Sequence, residues 1–80
     1  MVTPEQVREY ISKGLDCEAL EVAGDGQHFE ALIVSAVFIG KSRVQRHQAV
    51  YAALGERMRE EVHALSMKTL TPEEWAAARG

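Results

Sequence analysis

Eighty residues carrying a net charge of −3 make one small domain, near the lower limit of what folds without disulfide or metal staples. The longest apolar run, Ala31 to Ile39 and broken by Ser35, falls far short of the roughly 20 residues that span a bilayer. The polar, helix-like amino end does not read as a cleavable leader. A lone cysteine, Cys17, excludes an internal disulfide and points to a reducing compartment, most simply the cytoplasm.

In chain order, Thr3-Pro4-Glu5-Gln6 has the spacing of a capping box with proline at the first helical position. It predicts a helix over about 4–13 with Val7, Tyr10 and Ile11 on its apolar stripe, and Gly14 as a left-handed terminator. Residues 18–23 read as a short strand with Leu20 and Val22 on one face. Gly24-Asp25-Gly26 marks a turn, and residues 28–35 follow as the second strand of a hairpin. The chain then breaks at Gly40, and Ser42 with Gln45 completes a second capping box. Val44, His47, Tyr51, Leu54 and Met58 recur at helical steps, which predicts a long helix over about 43–59. Residues 62–70 form a third strand candidate, and Thr71-Pro72-Glu73-Glu74 repeats the cap chemistry ahead of a last short helix ending near Arg79.

The order helix, strand, strand, long helix, strand, helix defines an α+β domain: a small three-stranded mixed sheet with helices packed on one face. The long helix is a sufficient crossover, so the second and third strands should run parallel. His28 opens one and His63 the other, so the pairing brings both to one end of the sheet, with neighbouring backbones about 5 Å apart. Two imidazoles there are either ordinary surface histidines or half of a coordination sphere for zinc, copper, nickel or iron. A stable structural site typically uses four ligands, so a metal held there would need ligands from another molecule. His47 is expected to be a partly buried structural histidine, and Cys17 an incidental thiol. Lys41, Arg43 and Arg46 make a basic edge at the amino end of the long helix. It could meet phosphates or an acidic partner, or simply be solvated. The sequence contains no nucleophile elbow, phosphate-cradling glycine loop or paired-carboxylate motif, so no enzyme is expected.

Three separated blocks carry a resemblance over essentially the whole chain: Val34 to Gly40, Arg43 to Tyr51 with its Arg46-His47 pair, and Val62 to Trp75 with its His63-Ala64 pair. In this order they resemble the BolA family, and the Gly24-to-Phe29 turn is similar to its YrbA-like (IbaG-like) branch. The resemblance implies an αββαβα domain of class II KH-like arrangement. It also implies a non-enzymatic partner of a monothiol glutaredoxin, sharing a bridging 2Fe-2S cluster with it and with glutathione. His63 matches the family's ligand in the third strand. The second ligand lies in the variable loop before Phe29, which holds no cysteine here and offers His28. His47 matches the Arg-His signature of the long helix, with a structural or interface role. Such a cluster would replace thiolate by imidazole at one iron and respond to pH, since protonated imidazole cannot ligate. The free protein is expected to be a monomer. The alternative function is a transcriptional regulator that binds DNA or RNA through the KH-like helix and its basic edge. The acidic balance counts against it, as does the missing second glycine of a KH clamp in Gly40-Lys41-Ser42-Arg43.

Overall fold

Every described α-helix starts on a cap written in the sequence. In the computed structural model, which describes residues 2–56, 62 and 64–80, Thr3, Ser42 and Thr71 each accept from the amide three residues on. The side chains of Gln6, Gln45 and Glu74 accept in return from the cap amides. These boxes open α1 (Pro4–Gly14), α2 (Arg43–Leu54) and α3 (Pro72–Arg79), and each satisfies two amides that the first helical turn leaves unpaired.

The strands are β1 (Ala19–Gly24), β2 (His28–Val34) and β3 (Ala64–Leu70), in the sheet order β1-β2-β3. β1 and β2 pair antiparallel from Ala19 opposite Val34 to Gly24 opposite Phe29. β2 and β3 pair parallel from His28 opposite Ala64 to Val34 opposite Leu70. The parallel pairing expected from the long crossover is therefore present. Alternation along β2 buries Phe29, Ala31 and Ile33 while leaving His28 and Glu30 exposed. The buried face joins Leu20 of β1, Val7 and Ile11 of α1, and Val50 and Leu54 of α2 in one core. The sheet is thus covered by helices on one face, and the face bearing His28 is open.

The buried Ser35 joins three segments just beyond β2. Its hydroxyl donates to the Asp16 carbonyl at 2.6 Å and accepts from the Val37 amide, while its own amide donates to the Leu70 carbonyl. A short 3-10 turn, Ala36–Phe38, follows. It drives Phe38 into the core in the stretch the sequence presented only as an apolar run before Gly40.

Three expectations need correction. The long helix ends at Leu54, not near Arg59: Gly55 takes a φ of +61° and its amide donates to the Tyr51 carbonyl. Met58 and Arg59 lie outside the described residues. The apolar stripe is also rotated: Leu54 is buried as expected, but Val44 is 65% exposed and Tyr51 39% exposed, while Val50, outside the expected stripe, is buried. Alanines decide this face, because Ala49 and Ala53 pack against the core and let α1 come close. Finally, Gly14 is the last residue of α1 and has no positive φ. A Cβ there would lie 2.8 Å from both Cα and Cβ of Ala53, so its role is to admit α2.

Candidate functional site

The Gly24–His28 turn presents His28. Asp25 Oδ1 accepts from the amides of Gln27 at 3.0 Å and His28 at 2.9 Å. Those two amides hold its carboxyl below the usual carboxylate range. Gly26 supplies the positive φ of the turn, 101°. Gly24 must be glycine for space, since a Cβ would meet the His28 carbonyl oxygen at 2.4 Å. The turn is therefore rigidly specified, and it delivers an exposed imidazole at the first residue of β2. Across the parallel pair, His28 Nε2 lies 3.2 Å from the Ser66 hydroxyl, which steadies the ring over the open face.

The strand partner of His28 is Ala64, the residue that follows His63 in the sequence. His63 itself lies outside the described residues. Among those described, no group of three or more His, Cys, Asp or Glu could hold a metal ion. Cys17 precedes β1, whose first residue pairs with the last residue of β2, so its thiol stands at the opposite end of the sheet from His28. Burial, and then the neighbouring Asp16 carboxylate, push that thiol upward in pKa, away from the thiolate form that binds metals.

The basic edge divides. Arg46 is only 14% exposed in its side chain and is committed internally. Its guanidinium grips Glu74 at 2.7 and 3.3 Å, donates to the Thr69 and Lys41 carbonyls, and lies 6.0 Å from the Phe38 ring centroid. Arg46 holds Glu74 down to a pKa of about 2, with the Thr71 amide adding to the effect. The residue is the clasp between α2, β3 and α3. Lys41 and Arg43 are exposed and His47 is half-buried. Together with Lys68 they line a groove of about 690 Å³. The sequence reading missed Lys68. Only the register of β3 brings it beside residues some 25 positions earlier, and no local pattern marks it.

A mixed three-stranded sheet built in αββαβα order, with an exposed histidine at the hairpin turn, is the fold of BolA-like proteins. The family model described as BolA-like protein matches residues 11–74, and the chain belongs to that family. Within the family it is 37% identical over 75 residues to the acid stress protein IbaG of Escherichia coli K12, spanning 92% of this chain and 89% of that protein. It is 39% identical over 83 residues to human BolA-like protein 2, spanning 98% and 95%. Among solved structures, a bolA protein homologue from Coxiella burnetii matches with a TM-score of 0.83 at 42% identity, covering 95% of this chain and 99% of that one. The resemblance read from the three sequence blocks, including its IbaG-like branch, is borne out.

Proposed function

We propose that this protein is a non-enzymatic cytoplasmic partner of a monothiol glutaredoxin that co-ligates a shared 2Fe-2S cluster through His28 and His63, for cluster trafficking or iron sensing. The observation that carries the reading is the parallel register opposing His28 to Ala64. It supports the reading by setting Ala64, the residue that follows His63 in the sequence, beside the strand position of the exposed His28. A solved BolA domain of SufE1 from Arabidopsis thaliana has a TM-score of 0.77 to this chain at 39% identity, and supports the reading at the level of fold.

The donor set fits such a group in one specific way. Imidazole is a competent ligand for iron, and His28 stands exposed at an open corner with no cysteine beside it. Thiolates must then arrive on another molecule, which is what the glutaredoxin cysteine and glutathione would supply. When bound, the cluster would contribute electron-accepting and cluster-transfer chemistry. This chain's share is to place the His28 imidazole, through the Asp25-pinned turn and the Ser66 contact, and to leave its outer side open. Imidazole in place of thiolate removes negative charge at the iron it binds, which raises the reduction potential.

The test is to mix the protein anaerobically with a monothiol glutaredoxin, glutathione, ferrous iron and sulfide, and to record visible absorbance and circular dichroism. A heterodimer spectrum distinct from that of the glutaredoxin homodimer is expected. His63→Ala should abolish the difference and His28→Ala should alter it. Spectra unchanged by both substitutions would overturn the assignment.

A further inference from the structure

Going beyond the cluster reading and independently of it, we propose that the groove beside the amino end of α2 docks an extended acidic segment of a partner protein, one carrying carboxylates interspersed with aliphatic residues. The groove lies at the carboxyl ends of β2 and β3. Its strand lining, Lys68 to Leu70, lies opposite Leu32 to Val34, four to six residues beyond His28 and so about 13–20 Å away at roughly 3.3 Å per residue. A partner seated in the groove therefore makes contacts that the His28 corner does not supply.

Three observations select the occupant. First, the groove gathers exposed cations from separate elements: Lys41 from the loop, Arg43 from the first turn of α2 and Lys68 from β3, with His47 on the wall. Glu74, the carboxylate among its lining residues, is already neutralised by Arg46. The patch is opposite in sign to the chain's net charge of −3, so it offers directional attraction to an anionic partner. Second, the Arg46–Glu74 clasp is a shared wall. On its other side a second groove of about 400 Å³ is lined by Ile39, Gly40 and Ala77, and Ile39 is 65% exposed. A chain crossing the clasp would set carboxylates on the lysines and arginine, and an aliphatic side chain on Ile39. Third, among the described residues neither groove is lined by Phe, Tyr or Trp, the half-buried His47 being the one ring at hand, and Glu73 borders the second groove. A nucleic acid, charged at every repeat, would meet the Glu73 carboxylate along its backbone and would find only the half-buried His47 imidazole to stack on. A short peptide needs no stacking platform, and one that alternates carboxylates with aliphatic residues can pass Glu73 with an aliphatic side chain.

The test uses the full chain and a fluorescein-labelled decapeptide of alternating glutamate and leucine, followed by anisotropy and by amide chemical-shift mapping. Decaglutamate, a 12-nucleotide single strand and a 12-base-pair duplex are the competitors. The Glu-Leu peptide should bind best and shift the amides of residues 39–43 and 68. Charge reversal by Lys41→Glu with Arg43→Glu should weaken it at least about tenfold, and Lys68→Gln should weaken it independently from the other wall. The conservative pair Lys41→Arg and Arg43→Lys should retain binding. Ile39→Ser should weaken the Glu-Leu peptide about fivefold, the scale of one lost apolar contact, while leaving decaglutamate unchanged. Tighter binding of either oligonucleotide would overturn the proposal in favour of a nucleic acid. Peptide binding that is absent, or indifferent to all these substitutions, would overturn it outright. Loss of this binding with an intact cluster spectrum would leave the cluster reading standing.

Discussion

At the scale of single residues, Glu74 carries several duties at once. It accepts from the Thr71 amide to cap α3, and it receives the bidentate grip of Arg46. Its pKa falls from the ordinary 4.5 to about 2, chiefly through the Arg46 guanidinium. Because the folded value lies below the unfolded one, the unfolded chain takes up this proton first as the medium acidifies. The stability it contributes is therefore complete above about pH 4.5 and is lost as pH falls toward 2. Glu74→Gln keeps an oxygen to accept at the cap but removes the charge. Urea midpoints measured from pH 6 to pH 2 should fall less steeply with acid in the variant than in the parent. Equal slopes would show that the pair adds nothing to acid sensitivity. Asp25, lowered by the His28 and Gln27 amides, titrates in both proteins and so cancels from the comparison.

At the scale of elements, two glycines frame α1 and α2 for different reasons. Gly14 is needed for room, since an added Cβ would press on Ala53 at 2.8 Å. Gly55 is needed for its backbone, at φ +61° with nothing within 4 Å of an added Cβ. Gly14→Ala gains about 1 kcal/mol of helix propensity, set against about 1–3 kcal/mol for forcing two packed helices apart. Gly55→Ala gains no contact and strains the backbone by about 1–3 kcal/mol. Both should destabilise. Ala53→Gly placed on top of Gly14→Ala should recover part of the loss, whereas Ala53→Gly should recover nothing for Gly55→Ala. Chemical denaturation of the singles and doubles decides between clash and strain. The same elements show what local patterns conveyed. The three capping boxes, the prolines at the helix starts and the glycine turn specify element starts through bonds within a few residues, and these starts were legible. Which face of α2 is buried was not, because large apolar residues at helical spacing outweigh alanines in a pattern, while close helix packing favours the alanines.

At the scale of the whole molecule, β2 is the strand through which every layer communicates. It pairs on both edges, and Phe29 and Ile33 are completely buried. An 80-residue domain has about 4–12 kcal/mol of stability to lose, and Phe29→Ala should remove about 3–5 kcal/mol of it by leaving a cavity. A melting temperature lowered by roughly 15–30 °C, or loss of a cooperative transition in far-ultraviolet circular dichroism, is the expected result. A shift of a few degrees would mean that the core can collapse around the gap. The parallel β2–β3 pair also sets the distance between the two candidate surfaces, with the imidazole corner at its amino end and the cationic groove at its carboxyl end.

By itself the sequence determined where elements begin, their order, the parallel pairing and the family, because caps, turns and blocks of adjacent residues act over short distances along the chain. It also placed His28 at the start of the second strand, directly after the glycine turn. Only the tertiary structure decided that Arg46 clasps α3 instead of facing solvent, that Lys68 joins Lys41 and Arg43, and that Gly14 serves α2. Each of those facts depends on two segments more than 20 residues apart meeting side by side, and the register and packing that bring them together exist only once the core has closed.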